Sequence, residues 1–153
     1  MSVRLDDLDR KILNELQRDG GLSLDDIAKL VGSSKTPVWN RIRKMRDGGV
    51  IKQQTYLLDA EALGVEACFF VLIRTSEHDA AWQAAFLKAL HDRPEVQEAH
   101  RLAGDIDYIL KVRVANARAY DVFYQALIYE VKVYNVTALL SMEEIKSTTM
   151  LPL

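Results

Sequence analysis

Cysteine is almost absent from this chain of 153 residues, and its single occurrence, Cys68, excludes both an internal disulfide framework and a cysteine-rich zinc site. Cys68 stands inside an apolar run, where a core position is expected. Long apolar runs are missing too. The longest, Ala67 to Ile73, has seven residues, against the roughly 20 needed to cross a bilayer, so no membrane-spanning helix is expected. The first residues, Met1-Ser-Val-Arg-Leu-Asp-Asp, lack an apolar stretch and carry early acids, which does not read as a secretory signal and points to a cytoplasmic protein. Histidine occurs three times, as His78, His91 and His100, with no metal-spaced partner and no phosphate-binding glycine loop nearby. No metal or cofactor is expected.

What is present is the composition of a folded, cored protein: 49% hydrophobic and 27% charged residues. The net charge is only −2, yet it is unevenly placed. Residues 1–58 carry +3 and residues 59–153 carry −5. Within 29–52, Lys29, Lys35, Arg41, Arg43, Lys44, Arg46 and Lys52 face Asp47 alone, a local charge of +6. A concentration of that kind is an electrostatic footprint for phosphates.

That basic stretch falls on a helix-turn-helix pattern. Leu8, Ile12 and Leu16 recur at helical spacing, with Asp6 or Asp7 as N-cap and Gly20-Gly21 as stop, which predicts a helix over 7–19. Ser23 caps a second helix, with Asp26 three residues on and Leu22 and Ile27 at the staple positions. Its apolar face is Ile27, Ala28 and Val31, and Gly32 supplies the left-handed turn that ends it. Ser34 is the expected N-cap of a third helix, with Pro37 in its first turn, where a missing N–H breaks no bond. Val38, Ile42 and Met45 form its buried stripe. Ser34, Lys35, Thr36, Pro37, Trp39, Asn40, Arg41, Arg43 and Lys44 are left as candidate DNA-binding residues. Asn matches adenine, Arg and Lys match guanine, and Thr with backbone N–H groups at a helix start suits phosphate. Gly48-Gly49 stops the helix, and Val50 to Leu58 alternates as a strand, the wing of a winged motif. The plainer reading of the same segment is a three-helix bundle with a solvated basic face. Trp39, one residue from the stripe, suits a half-packed domain edge as well as a DNA contact.

Beyond a short connector, Asp59 to Gly64, the pattern changes to alternating strands and helices. Strands are expected over Val65–Arg74, Val96–Leu102, Asp107–Val114 and Lys132–Ile145, with helices over Asp79–His91 and after an Asn116 cap. The fold class is therefore α+β. An N-terminal winged helix-turn-helix domain (residues 1–58) is joined to a C-terminal ferredoxin-like βαββαβ domain (residues 59–153), with both helices on one face of an antiparallel sheet. Phe69 to Ile73 is apolar on both sides of its strand, and Val136, Ala138, Leu140 and Met142 alternate with Leu139 in the last. A second cover is needed, and a second subunit packed sheet to sheet supplies it, setting two recognition helices for paired half-sites.

Three stretches carry a family resemblance: Leu5-Asp-Asp-Leu-Asp-Arg-Lys-Ile-Leu13, Ser34-Lys-Thr-Pro-Val-Trp-Asn-Arg-Ile-Arg43 with Gly49-Val-Ile51, and Ala103-Gly-Asp-Ile-Asp-Tyr-Ile-Leu-Lys111. Together they make nearly the whole chain resemble the Lrp/AsnC (leucine-responsive/asparagine-responsive, or feast/famine) transcriptional regulators. The resemblance implies double-stranded DNA as partner, dimers and commonly rings such as octamers of four dimers, and a small-molecule effector, often an amino acid, held where subunits meet. Gly104, Asp105, Asp107 and Tyr108 match the family's Gly-Asp-x-Asp-Tyr turn at that pocket. Its chemistry suits a zwitterion, since a glycine lets backbone N–H groups approach a carboxylate and an aspartate accepts from an ammonium. The same residues also favour a plain hairpin turn. Ligand-responsive members often carry Pro-Gly before the last strand and threonines within it. In the stretch Glu130 to Ala138, Val136 and Ala138 stand at those pocket positions, while Thr137 points to the opposite face.

Two rivals remain. Ferredoxin-like domains also occur in enzymes, but Glu143-Glu144 would point to opposite faces of a strand, and no nucleophile–base pair appears. No catalytic activity is expected. The other rival is a small-molecule sensor acting through a protein partner, with the three helices as a docking module. DNA affinity that falls steeply with salt separates the two.

Overall fold

A computed structural model describes residues 4–77 and 79–153, so His78 and the first three residues lie outside it. The chain divides into two compact units, Met1–Leu57 with Lys146–Leu153, and Leu58–Ile145. The expected boundary at 58/59 is displaced by one residue. The expectation that the second domain runs to residue 153 is corrected, because the terminal segment belongs with the helices. The Gln17 side chain holds it: its amide donates to the Leu151 carbonyl at 3.1 Å and its oxygen accepts from the Leu151 N–H at 2.6 Å. A carboxamide offers donor and acceptor side by side, so it pairs a peptide without any strand.

The first unit contains α1 (Asp7–Arg18), α2 (Leu24–Val31) and α3 (Lys35–Asp47). Asp6 is the α1 cap, accepting from the Asp9 N–H at 2.9 Å while the Asp9 carboxylate accepts from the Asp6 N–H at 3.1 Å. This reciprocal box satisfies two of the donors that a helix start leaves open. Ser23 caps α2 by accepting from the Asp26 N–H at 3.1 Å. At its other end Gly32 has φ 68° and ψ 39°, and a Cβ there would meet nothing within 4 Å. The requirement for glycine is therefore conformational, not spatial. Ser34 has the extended backbone of an N-cap, but its side chain makes no capping bond. Ile12 and Leu13 of α1, Ile27, Ala28 and Val31 of α2, and Val38, Ile42 and Met45 of α3 form one core.

The strand expected over Val50–Leu58 does not form. A strand needs a neighbouring edge for its backbone groups, and here Val50 and Ile51 instead turn their N–H groups back to the Met45 carbonyl at 2.8 and 3.2 Å. Gln54 then ties the segment to the Gly20 carbonyl through its side chain at 2.6 Å.

The second unit runs β1 (Ala67–Arg74), α4 (Ala80–His91), β2 (Val96–Arg101), β3 (Tyr108–Val114), α5 (Ala117–Glu130) and β4 (Asn135–Leu140). Its sheet has the order β2-β3-β1-β4, with every neighbouring pair antiparallel. This is the expected βαββαβ arrangement. Asp79 and Asn116 cap the helices, accepting from the Trp82 and Ala119 N–H groups at 2.8 and 3.0 Å. β4 is shorter than the expected Lys132–Ile145, because its only neighbour, β1, pairs with it from Arg74↔Asn135 to Phe69↔Leu140.

Alternation decides the two faces. Phe69, Val71 and Ile73 of β1 with Tyr108, Leu110, Val112 and Val114 of β3 pack against Phe86, Ala89 and Leu90 of α4 and Phe123 and Leu127 of α5. The opposite face carries Phe70 and Leu72 beside Ile109, Lys111 and Leu139, as the register requires. Phe70 remains 37% and Leu139 51% exposed.

Candidate nucleic-acid interface and effector turn

Helix α3 owes its amphipathic form to a three-residue apolar stripe, with Val38, Ile42 and Met45 buried. Turning around the helix, Lys35, Trp39 and Arg43 share one exposed row, and Thr36, Asn40 and Lys44 the next, at the i, i+4, i+8 spacing that brings side chains to one face. Ser34 and Pro37 are exposed at the helix start. Trp39 is 45% exposed, and the Arg43 guanidinium lies over its ring at 5.4 Å from the centroid. Lys35 meets Asp25 at 2.9 Å and Arg43 meets Asp47 at 3.7 Å, both among exposed side chains. Such pairs contribute about 1 kcal/mol or less and exchange readily for a phosphate.

Arg41 is the exception among the sequence-derived candidates. Its Nη1 donates to both oxygens of Asp6 at 2.8 and 2.7 Å and to Asp9 at 2.8 Å. The guanidinium is therefore turned to the α1 cap, away from the exposed rows. Hydrogen bonding to Arg41 lowers the Asp6 carboxyl from its usual value, and the same bonds raise the Arg41 guanidinium. An open cleft of about 340 Å³ adjoins this clasp, lined by Arg4, Asp6, Asp9, Pro37, Asn40, Arg41 and Lys44. The Asp6-x-x-Asp9 spacing announces a capping box, but nothing in the local pattern around Arg41 announces its partner.

In the second unit, Gly104 has φ 145°, a backbone region that L side chains rarely adopt. It opens a turn that leads into β3. The Asp107 carboxylate accepts from the Thr75 N–H at 2.8 Å, while the Asp107 N–H donates to the Ile73 carbonyl at 3.0 Å and its carbonyl accepts from Leu102 at 2.8 Å. Asp107 is thereby committed to stapling the turn onto the end of β1. Asp105 is exposed and makes no side-chain hydrogen bond or ion pair among the described residues. Tyr108 is buried, its ring 4.8 Å from Phe86 and 6.3 Å from Trp82, so it belongs to the core of this chain. Val136 pairs with Ile73, which also pairs with Tyr108, so the turn and the start of β4 meet at one end of the sheet. Ala138 lies two residues further along the same face. Thr75, whose backbone N–H the turn needs, was not singled out by the sequence, since a backbone donor leaves no residue-type signal.

Residues 5–52 match the family model described as a winged helix-turn-helix DNA-binding domain, and residues 68–151 match the Lrp/AsnC ligand-binding domain. The chain belongs to the Lrp/AsnC family. It is a DNA-binding transcriptional regulator, and no helix among the described residues is long and apolar enough to cross a membrane. This Lrp/AsnC regulator is 44% identical over 153 residues to the glutamate uptake regulatory protein of Zymomonas mobilis, covering 100% of this chain and 93% of that one. A crystal structure of an AsnC-family transcriptional regulator from Agrobacterium tumefaciens superposes with a TM-score of 0.94 at 44% identity, over 97% of each chain. The Neisseria meningitidis regulator NMB0573, solved as a complex with L-Met, gives 0.93 at 27% identity, again over 97% of each.

Proposed function

We propose that this regulator reads double-stranded DNA with the exposed rows of α3, as a sheet-to-sheet homodimer able to extend to larger rings, and that an amino acid bound at the Gly104 turn between subunits modulates it. The carrying observation is that α3 buries Val38, Ile42 and Met45 and turns Lys35, Thr36, Trp39, Asn40, Arg43 and Lys44 outward together. A helix so disposed enters a major groove with its basic residues against phosphate and its Asn and Arg at base edges. The apolar strip of Phe70, Leu72 and Leu139 supports the dimer, since a half-exposed sheet face of that kind is covered when two sheets pack.

The effector reading rests on the turn's chemistry and on a relative that was solved with an amino acid. Gly104 lets a ligand approach the backbone, and the Asp105 carboxylate stands free to accept from an ammonium. Fluorescence anisotropy with a duplex recovered by in vitro selection tests DNA reading. Lys44→Ala is expected to weaken binding and to flatten the slope of log affinity against log salt by about 0.9. An unchanged slope on changing both Lys44 and Arg43 to Ala refutes this interface. Calorimetry with the twenty amino acids tests the effector: binding of at least one that Asp105→Ala abolishes is expected, and no heat with any of them refutes it.

A further inference from the structure

We infer that Arg41 is a positioning residue for DNA reading and not itself a DNA contact: its guanidinium ties the recognition helix to the capping box of α1 and fixes the rotation of α3 about its own axis. This inference rests on the DNA-binding reading of α3. Arg41 sits on the flank of α3, one residue before the buried Ile42 and one after the exposed Asn40. It therefore marks the boundary between the face that packs and the face that reads. The packed face is narrow, with Val38, Ile42 and Met45 in one line, and apolar contacts along a line resist translation better than rolling. The clasp supplies the missing resistance. One Nη atom donates to three carboxylate oxygens within 2.7–2.8 Å, and those carboxylates are themselves fixed by the Asp6 and Asp9 backbone N–H groups. The Asp9 side chain is 10% exposed, so the anchor is partly shielded from solvent.

The consequence for reading is geometric. Side-chain ends lie about 5–6 Å from the axis of a helix, so a roll of about 10° carries Asn40 and Lys44 sideways by about 1 Å. Base-edge hydrogen bonds fail at such an offset, because their donor–acceptor range spans only a few tenths of an ångström. Long cationic side chains still reach phosphates, which tolerate the shift. Loss of the clasp is thus expected to remove discrimination between sequences while sparing general affinity.

The test uses the full-length protein, a duplex recovered by in vitro selection with the wild type, and a scrambled duplex of equal length, titrated across a salt series below every variant's thermal transition. Arg41→Gln is expected to lower the selected-to-scrambled affinity ratio about tenfold with an unchanged salt slope. Asp9→Asn is expected to lower the ratio comparably even though it removes a negative charge, and the double variant no further than either alone. Arg41→Lys, which retains the charge for a variant that keeps its fold, is expected to hold an intermediate ratio. A salt slope flattened by about 0.9 in Arg41→Gln identifies a direct phosphate contact and overturns the inference. So does a wild-type ratio in Asp9→Asn, or a lowered melting temperature with both affinities intact, which marks a purely structural clasp. Failure of the wild type to prefer any duplex defeats the DNA reading itself, and is seen before any variant is compared.

Discussion

Asp107→Ala and Asp105→Ala, two adjacent acidic positions in one turn, are expected to part company by a wide margin in stability. The Asp107 carboxylate accepts the Thr75 N–H at 2.8 Å, and Thr75 is only 9% exposed. Alanine keeps the two backbone bonds of residue 107 and removes that acceptor, leaving a buried amide hydrogen without a partner. Hydrogen bonds to a charged group contribute about 1.5–3 kcal/mol, and stranding a buried donor costs about 1–3 kcal/mol. A loss near 2 kcal/mol follows, which in a unit of under 100 residues lowers the melting temperature by about 8–16 °C. Asp105 has no internal partner to lose, so its removal should stay within about 0.5 kcal/mol, or at most about 4 °C. Thermal unfolding of the effector unit followed by circular dichroism reads both. Equal shifts for the two variants, or a shift for Asp107→Ala inside the range set for Asp105→Ala, would refute the staple. The result also guards the effector assignment, since only Asp105→Ala can lose ligand binding without a structural cause.

Phe86 is fully buried against Trp82 and Tyr108, so Phe86→Ala should destabilise the effector unit by about 3–5 kcal/mol in denaturant titration. Gly32→Ala forces an L side chain into the left-handed region and should cost about 1–2 kcal/mol in the helix-turn-helix unit, seen as an earlier unfolding midpoint. Acid should weaken the Arg41 clasp. The folded Asp6 carboxyl titrates below its unfolded value of 3.8 because Arg41 bonds to it. Its stabilisation is therefore complete above that value and lost as pH falls through the folded one. The Asp6→Asn variant should show a flatter decline in melting temperature below about pH 4 than the wild type.

Much of the architecture was legible in the chain because its signals are local. Capping at Asp6, Ser23, Asp79 and Asn116, the left-handed Gly32 and the three apolar stripes of the helical unit all depend on residues within a turn of one another. The alternation of Tyr108 to Val114 likewise states which side of its strand is buried. Val50 to Leu58 shows the limit of such signals, since alternation there suits a strand but no neighbouring edge pairs with it.

The division of labour among equivalent-looking side chains was decided by tertiary structure. By residue type Arg41 is as good a phosphate ligand as Arg43, and Asp107 as good an ammonium acceptor as Asp105. Arg41 is bound to Asp6 and Asp9 more than 30 positions away, and Asp107 to a backbone amide 32 residues back. The hold of Gln17 on Leu151 spans 134 residues. The sequence by itself determined the helix-turn-helix, the basic face of α3 and the βαββαβ order, because hydrophobic period and capping act within a few residues. Only the folded chain decided which charges remain free to meet a ligand, because a charged group's partner is chosen by proximity in space, which the order of residues does not state.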